Sequence, residues 1–521
     1  MYECPNCGGN LIFDIPSQQL ACGYCQTRLD PYSYEKDHDA VVTDTYDATI
    51  FTCPQCGGEI LSAQNEATGW CSFCGAHTIL DSRISKEKRP DYLIPFRVTK
   101  DDCKKAYGKM MQHAYFAPKE LRDPQWIDNF RGIYMPYWVY MITQQGHSVL
   151  KGKRVHHQGN YTITDHYDLH SDMNNYYKGL SFDASASFAD NISESIAPFD
   201  VRGMRAFTPS LLCGFYADTA DVPPEIYAAD AMDIANDNTL QQMNKVPQFK
   251  GISVSKPADT NAANRALCTR CTQTDNAMFP VWFMAYQNKD RVAYATVNGQ
   301  TGKVAADLPV DTKKYVLGSL LLAVPLFLIF NLLFTVVPSV TLVIASLLAA
   351  ITAVIDVIEL GALSRKEKLF DDKGLQFQKG GMINNTVRSK RSPKFVGSTY
   401  IMILFFVVAA TLVFPIVSLT PSILILPVFI ATLVATITGF VLQRKTSQRG
   451  KIPGFLGSAI AVVLACVILV LHPVSDLFYY GGVILSAIAI FLTLLGIIRE
   501  YNALATRPLP QFNRTGGDDR A

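Results

Sequence analysis

Two copies of a four-cysteine pattern near the N-terminus constrain this chain more than any other feature. CPNC is followed by CGYC, and the near copy CPQC is followed by CSFC, with 14 residues between the pairs of each copy. A hairpin of that length brings both pairs together, and four thiolates form the tetrahedral site that Zn²⁺ prefers. The pattern predicts two zinc ribbons, in residues 1–37 and 48–82, each holding one Zn²⁺. The predicted ligands are Cys4, Cys7, Cys22, Cys25, Cys53, Cys56, Cys71 and Cys74.

Two other interpretations of these cysteines remain open at this point. Iron in a rubredoxin-like site uses the same four-thiolate set. A CxxC pair also serves as a dithiol redox motif, but such motifs occur singly at the start of a helix, whereas these pairs are matched. The opening residues MYECPNC show no signal-peptide pattern, so we expect the thiols to lie in a reducing compartment.

Each ribbon is too short to fold on its own apolar surface. A segment of about 30 residues buries little area, so the metal should supply most of its folding free energy. The glycine pairs Gly8-Gly9 and Gly57-Gly58 follow the first CxxC of each copy. Because glycine accepts positive φ, we expect these pairs to turn the backbone around the sulfurs.

The charge of the N-terminal region indicates which partner the ribbons suit. Residues 1–82 contain only two cationic side chains, Arg28 and Lys36, against eleven carboxylates. Since neutralisation of phosphate by Lys and Arg dominates affinity for nucleic acid, this surface should repel DNA. We therefore interpret the ribbons as a protein-docking element, with nucleic-acid binding as the less favoured alternative.

The C-terminal third is strongly apolar and predicts a transmembrane region, residues 313–521. Six apolar stretches have about the length that crosses 30 Å of hydrocarbon as a helix. They cover residues 317–337, 340–360, 400–417, 423–442, 455–471 and 478–498. Short breaks pair them into three hairpins, so we expect an all-α region of six helices that binds the lipid bilayer.

The distribution of Lys and Arg predicts the orientation of these helices. The short breaks within the hairpins contain no Lys or Arg, whereas residues 364–394 contain nine and residues 443–451 contain four. Basic loops stay on the cytoplasmic side of a membrane. The sequence therefore predicts a multi-pass protein of the cell membrane, with the N- and C-termini cytoplasmic.

The middle region, residues 91–312, predicts one cytosolic α+β domain. Thr99 and Asp102 form a capping box for a helix that reaches His113, and a second helix should follow Pro224 over Glu225–Met243. Strands are expected in GIYMPYWVYMI, GNYTITDHYDL and RVAYATV, the last ending in an Asn-Gly turn. The similar segments YMPYWVYMI and MFPVWFMAY suggest a duplicated half-domain, or two Trp residues that anchor the core.

Other candidate sites in the middle region are weaker. His156, His157, His166 and His170 fall on strand-like segments but lack a recognisable ligand spacing, so a polar strand face is favoured over a metal site. The CxxC of LCTRC has no second pair, which favours free thiols over zinc. No phosphate-binding loop, nucleophile elbow or zinc-protease helix is recognised, so we expect no enzyme activity.

Several words of the sequence together resemble a known bacterial family. The paired ribbons precede YLIPF (92–96), GIYMPYW (132–138), APFDV (197–201), LLCGFYAD (211–218) and FPVWF (279–283). This order is similar to TFIIB-type double zinc-ribbon membrane proteins, some of which are labelled primosomal helicase-like. The resemblance implies a cytosolic module tethered to the membrane, with phage-shock protein A-like and SPFH-domain proteins as partners. This chain has six predicted spans, whereas shorter members of that family have about two.

These observations together predict a non-enzymatic, zinc-binding membrane scaffold that docks cytosolic proteins, with a role in envelope stress. A transporter or channel with a regulatory ribbon head is an alternative, since six spans can form a pathway. Against it, ionisable residues are nearly absent from the spans, where only Asp356 and Glu359 occur.

Overall fold

The computed structural model describes residues 2–37, 44–62, 71–76, 81–289, 291–333, 337–369, 373–378, 421–444 and 452–508. The strands are β1 Leu11–Asp14, β2 Gln19–Cys22, β3 Arg28–Leu29, β4 Thr45–Thr52, β5 Glu59–Ser62, β6 Asp81–Lys88, β7 Tyr92–Leu93, β8 Arg131–Gln158, β9 Tyr161–Asp183, β10 Arg205–Ala206, β11 Tyr216–Ala217, β12 Ser253–Val254, β13 Thr269–Asn288, β14 Arg291–Asn298, β15 Val304–Ala306 and β16 Arg507–Pro508. The helices are α1 Pro31–Asp37, α2 Lys100–Gln112, α3 Pro124–Ile127, α4 Asp190–Ile196, α5 Glu225–Met243, α6 Thr260–Ala266, α7 Thr312–Leu333, α8 Pro338–Leu369, α9 Lys373–Gln378, α10 Pro421–Gln443, α11 Phe455–Leu471 and α12 Asp476–Ala505.

Two sheets organise the N-terminal three fifths of the chain. A three-stranded antiparallel sheet has the order β1-β2-β3. A thirteen-stranded sheet runs β10-β7-β13-β8-β11-β5-β4-β6, with β9 and β12 paired to β8 and β14 continuing from β13 to β15 and β16. The helices α2 to α6 lie among these strands in the chain. The predicted mixed α/β domain, preceded by two cysteine clusters, is therefore present.

The strands β8 and β9 form an unusually long hairpin. They pair antiparallel from Tyr137 opposite Asp183 to Gln158 opposite Tyr161, with one bulge after Tyr140. The sequence predicted strands here but not their length. Both strands continue into mostly polar residues, well beyond the segments GIYMPYWVYMI and GNYTITDHYDL from which they were predicted. The distal part of the hairpin is mostly exposed, with the Tyr161 side chain 77% accessible near its turn.

The local predictions for the middle region are confirmed. Helix α2 starts after Thr99, whose hydroxyl accepts the Asp102 N–H at 3.2 Å, and ends before His113. Helix α5 covers the predicted range Glu225–Met243. Strands β14 and β15 form the predicted hairpin, in which the Asn298 N–H donates to the Lys303 carbonyl at 2.9 Å.

The two similar Pro-x-Trp segments lie side by side as antiparallel neighbours in β8 and β13. Pro136 is opposite Met278, and Gly132 is opposite Trp282. The Trp282 indole donates to the Val98 carbonyl at 2.9 Å, and the Trp138 indole donates to the Val222 carbonyl at 2.7 Å. Trp282 is buried and Trp138 is half-buried. Because each indole N–H has an acceptor, both rings anchor the core, as predicted.

The first ribbon packs against the middle domain. Leu11, Phe13 and Leu20 belong to one buried cluster with Phe96 and Phe215 of that domain. The Phe13 N–H donates to the Cys213 carbonyl at 3.0 Å, and the Gln18 amide donates to the Phe96 carbonyl at 2.8 Å. The ribbon is therefore fixed to the domain through main-chain and side-chain contacts.

The second ribbon is part of the large sheet itself. Its strand β5 pairs with β11 of the middle domain, and β4 pairs with β6, which extends to Lys88. The Tyr294 hydroxyl donates to the Phe73 carbonyl at 2.8 Å, and the Phe73 ring meets Phe283 edge to face. This ribbon shares its strands and its apolar core with the middle domain.

The C-terminal helices support two membrane spans rather than the six predicted. Among the described residues, Pro338–Ser364 and Asp476–Ala505 are long and apolar enough to cross a membrane. Val428–Gln443, which is the part of α10 whose side chains the structure describes, and Phe455–Leu471 are apolar but shorter. A helix of 17 residues spans only about 26 Å, less than the hydrocarbon thickness. The predicted span 400–417 lies outside the described residues, as do most side chains of 317–337.

The long helices contact the middle domain directly at their C-terminal ends. After α12, residues Arg507 and Pro508 pair with Val292 and Arg291 as strand β16. After α8, the Lys373 side chain at the start of α9 forms a buried ion pair with Asp230 of α5. Both ends therefore lie against the α/β domain.

Candidate metal centres

The four sulfurs of the second ribbon have the spacing of a metal tetrahedron. The Sγ atoms of Cys53 and Cys74 lie 3.8 Å apart, and those of Cys56 and Cys71 also lie 3.8 Å apart. A tetrahedron with Zn–S bonds of about 2.3 Å requires sulfurs about 3.8 Å apart. This group is therefore a suitable site for one Zn²⁺ ion.

The first ribbon brings its four cysteines together in the same way, with slightly closer sulfurs. The Cys4–Cys25, Cys7–Cys22 and Cys7–Cys25 Sγ distances are each 3.4 Å. In both groups all ligand atoms lie within 4.8 Å of one another. Each ribbon could thus hold one metal ion such as zinc, and all eight predicted cysteines take part.

The same backbone turn holds every pair of cysteines. In each of the four turns, the residue after the second cysteine donates its N–H to the carbonyl of the first cysteine at 2.8–3.0 Å. The first cysteine in turn donates its N–H to the carbonyl two residues after the second cysteine, at 2.7–3.0 Å. These paired hydrogen bonds aim both sulfurs of a pair at one point, before any metal is considered.

The positive φ that these turns need comes from one residue per turn, not from glycine pairs. Gly8, Gly57 and Gly75 have φ of +70°, +77° and +71°, whereas the fourth turn uses Gln26 at +58°. The predicted role of Gly9 and Gly58 as positive-φ residues is therefore wrong. The sequence does contain a signal for the positive φ of Gly75 and Gln26, because each directly follows the second cysteine of its pair, as Gly8 and Gly57 do.

The two centres differ in exposure. Cys53, Cys56, Cys71 and Cys74 are all buried, whereas in the first ribbon two of the four, Cys7 and Cys25, are exposed. The cause is the packing: the second ribbon is covered by strands of the large sheet, whereas one edge of the first faces solvent. Solvent and chelators therefore reach the first centre more easily.

Hydrogen bonds favour the metal-binding thiolate form of one exposed cysteine. The Thr27 hydroxyl lies 3.0 Å from the Cys25 Sγ, and this contact together with the Thr27 backbone N–H lowers the pKa of Cys25 to about 6. Donors to sulfur stabilise the thiolate, which is the form that binds a metal ion. Thr27 was not singled out from the sequence, since a threonine two residues after a cysteine has no distinctive pattern.

The histidines proposed as a weak alternative site do not converge. His156 faces Asp165 at 3.6 Å and His157 contacts Thr162 at 3.1 Å, while His166 lies opposite Lys153. His170 contacts His147 at 3.2 Å, and His147 in turn contacts Asp172 at 2.9 Å. All four predicted histidines are exposed on the long hairpin, in agreement with a polar strand face.

The cysteines of LCTRC form no third centre with other described residues. The Cys268 thiol contacts the His147 carbonyl at 3.5 Å, and the Cys271 thiol contacts the Gln273 carbonyl at 3.8 Å. The described groups of three or more metal-ligating side chains are the two ribbon clusters.

A comparison with known proteins identifies one relative. The chain is 24% identical over 317 residues to the uncharacterized protein YdjG of Bacillus subtilis (strain 168). The similarity covers 60% of this chain and 91% of the relative. No model of a known protein family and no solved structure matches the chain.

Proposed function

We propose that this protein is a zinc-binding integral membrane scaffold that docks cytosolic proteins at the cell membrane. We call the described part of residues 2–311, which contains both ribbons and the α/β domain, the head. The observation that carries the proposal is the direct connection between this head and the last long apolar helix. A head fixed in this way holds any bound protein at a constant distance from the bilayer.

The connection between head and helix consists of several hydrogen bonds. The Asn502 side chain in α12 accepts the Val310 N–H at 2.7 Å and donates to the Val310 carbonyl at 2.9 Å. The Arg291 guanidinium of β14 donates to the Ala503 carbonyl at 2.8 Å. The hydrogen bond from the charged Arg291 is stronger than one between neutral groups. Together these bonds favour one orientation of the head relative to α12.

The exposed edge of the first ribbon is the proposed docking surface. Tyr24, between Cys22 and Cys25, is 84% exposed, and Ile12 is 46% exposed. A Cβ placed on Gly9 would lie 2.6 Å from the Tyr24 ring and 3.3 Å from the Cys22 sulfur, so the ring lies beside the metal centre. Exposed tyrosines next to a rigid centre are common anchors of protein interfaces.

The acidic charge of the ribbon region favours a partner with a basic surface. Only two cationic residues accompany eleven carboxylates in residues 1–82, and two four-thiolate zinc centres add negative charge. Complementary charge steers association and selects partners. Phage-shock protein A-like and SPFH-domain proteins are the partner classes that the family resemblance suggests.

The proposal includes the orientation of the helices in the cell membrane. The C-terminal ends of α8 and α12 both meet the head, and the basic residues Arg365, Lys366 and Lys368 follow the apolar part of α8. By the positive-inside rule this end of the helices is cytoplasmic, together with the head. Cytoplasmic N- and C-termini are part of the proposal, tested by labelling of single introduced cysteines from either side of the membrane.

Photo-crosslinking in living cells tests the scaffold. A photoreactive residue replaces Tyr24, and the matched control replaces Tyr115, which is 71% exposed elsewhere on the head. We expect a distinct protein to be crosslinked from position 24 and not from position 115. If neither position yields a protein adduct, or if both yield the same set, the scaffold proposal is wrong. Retention of the head on DNA at about 50 mM salt would instead support nucleic-acid binding.

One observation favours transport as a second candidate function. Asp356 in α8 is fully buried, and neither carboxylate oxygen completes a hydrogen bond with a described residue, although the Phe455 N–H lies near enough to act on the carboxyl. Ionisable residues inside a membrane are costly and commonly mark ion or proton pathways. Ion flux in proteoliposomes that is abolished by Asp356→Asn would support a transporter, whereas absence of flux supports the anchor.

A further inference from the structure

A cavity of about 290 Å³ lies where the second ribbon meets the middle domain. Its walls come from β4, β6, β8 and β13 and from the loop between β11 and α5. We call it the acidic cavity. No cysteine of the two metal-binding groups lines it, and it plays no part in the proposed scaffold role.

Two buried residues that line the acidic cavity, Asp218 and Asn276, carry hydrogen-bond acceptors. Asp218 is only 3% exposed, and its carboxylate accepts the Ser185 hydroxyl at 2.5 Å and the Thr219 N–H at 2.9 Å. Asn276 is 6% exposed, and its side-chain oxygen has no hydrogen-bond partner among the described residues. A buried acceptor without a donor is costly, so an occupant that donates hydrogen bonds would relieve it.

Most of the ionisable side chains around the cavity are carboxyl groups. Asp221 and Glu87 line it together with Asp218, while Lys88 is the cationic side chain among the lining residues described. Glu59 is also close enough to act on Asp218. Burial raises the pKa of Asp218 to about 8, and repulsion from Asp221 adds to this. A cation in the cavity would stabilise the ionised carboxylates.

The walls decide what kind of cation fits. Tyr46, Pro136, Trp138 and Met278 supply aromatic and apolar surface around the carboxylates. Aromatic faces attract organic ammonium groups, and apolar walls accept a hydrocarbon chain. A bare Mg²⁺ or Ca²⁺ ion needs about six oxygen ligands within roughly 2.6 Å, which a wide and partly apolar cavity does not offer.

We propose that the acidic cavity binds a small organic cation, with a primary ammonium group on Asp218 and Asn276 and a short hydrocarbon chain against Trp138. Asp221 lies at the exposed mouth, where it would attract the ligand or hold a second ammonium group. Because β4 and β6 form part of the wall, occupancy would stabilise the junction between the second ribbon and the domain. The class of ligand is an aliphatic amine or diamine.

Calorimetric titration of the full-length, zinc-loaded protein in detergent tests this proposal. The probe is cadaverine, and the uncharged probe of equal chain length is 1,5-pentanediol. We expect saturable cadaverine binding, weakened at least about 10-fold by Asp218→Asn and less by Asp221→Asn. The control Asp172→Asn, on the exposed hairpin, should leave binding unchanged. Zinc content and thermal unfolding show whether each variant is folded. If Asp218→Asn does not fold, the binding measured with Asp221→Asn tests the proposal.

Three results would overturn the proposal. The first is absence of saturable cadaverine binding up to about 10 mM, a concentration at which even a weak specific site is filled. The second is equal binding of 1,5-pentanediol, which would show that charge plays no part. The third is cadaverine binding that neither Asp218→Asn nor Asp221→Asn weakens, which would place the amine elsewhere.

Discussion

The Arg291 guanidinium donates to both oxygens of Thr506, at 2.6 Å to the hydroxyl and 2.8 Å to the carbonyl. The two residues are more than 200 positions apart, one in the head and one directly after the last long helix. Thr506 caps the C-terminus of α12, so no N–H of the helix donates to its carbonyl, which is available to the arginine. This contact turns the head and helix α12 into one connected unit.

Removal of the Arg291 contact should loosen this junction. We expect Arg291→Met to increase hydrogen exchange in residues 500–508 and 291–298, since hydrogen bonds to a charged group contribute about 1.5–3 kcal/mol each. The control is Arg202→Met, because Arg202 is largely exposed and pairs with Asp200 on the surface. Unchanged exchange in Arg291→Met would show that the junction does not depend on this contact.

The two metal centres should release their ions at different rates. We expect purified protein to contain about two zinc ions per chain and to lose one of them faster to a chelator, because Cys7 and Cys25 are exposed whereas the second centre is buried. Cys7→Ser should remove the fast phase and Cys71→Ser the slow one, as followed by a colorimetric zinc assay. A single phase for both ions in the unchanged protein would contradict the assignment.

The glycines of the cysteine turns provide a matched pair of substitutions. Gly8 and Gly75 both have positive φ, but a Cβ on Gly8 meets no atom within 4 Å, whereas one on Gly75 lies 3.3 Å from the Ala285 carbonyl. Gly8→Ala should therefore lower the free energy of unfolding only by the cost of placing alanine in the left-handed conformation, about 1–2 kcal/mol. Gly75→Ala should cost more, as measured by thermal unfolding. Equal costs would show that the second ribbon does not press on β13.

The buried carboxyl of Asp218 should make stability depend on pH. Its pKa is raised from the ordinary value of about 3.9 to about 8 by burial, so the folded state binds the proton more tightly than the unfolded state. The free energy of unfolding should then fall as pH rises between these values, by at most about 1.4 kcal/mol per pH unit. Above about pH 8 the loss is complete.

The variant Asp218→Asn isolates this effect. The amide does not titrate, so the difference in Tm between Asp218→Asn and the unchanged protein should grow in favour of the variant from pH 6 to pH 8. The control is Asp101→Asn, which replaces an exposed carboxylate of α2 whose charged neighbour is Lys104 at 3.8 Å and should show no such trend. Parallel Tm curves for Asp218→Asn and the unchanged protein would mean that Asp218 is already ionised at pH 6.

The crossing of α8, α11 and α12 depends on two glycines. A Cβ on Gly454 would lie 2.9 Å from both oxygens of Asp356, and one on Gly496 would lie 3.0 Å from the Gly454 Cα. We expect Gly454→Ala and Gly496→Ala to separate these helices, seen as lower Tm in detergent and weaker crosslinking between cysteines placed in α8 and α11. Gly481→Ala meets no neighbour and should be neutral or slightly stabilising. If Gly454→Ala and Gly496→Ala had the same Tm as Gly481→Ala, the close crossing of these helices would be refuted.

The sequence alone determined the features whose cause is local. The cap of α2 at Thr99 and the extent of α5 follow from residues within a few positions of one another, and the structure confirms both. The structure also brings the eight predicted cysteines together in two groups that could each hold a metal ion. These groups belong with the local features because the two cysteines of each pair are positioned by their own turn. The number of membrane spans did not follow from local sequence, because the length of an apolar stretch does not decide whether it forms one continuous helix that is long enough to cross the bilayer.

Tertiary structure decided the rest. The burial of the second ribbon in the large sheet, the acidic cavity and the contact of Arg291 with Thr506 join residues between about 60 and more than 200 positions apart. No periodicity or motif encodes such pairings, because they depend on which strand edges meet and which side chains fill the space between them. Local sequence therefore brings the cysteines of each pair together, while the fold determines which four-cysteine group is exposed and how the head meets the helices.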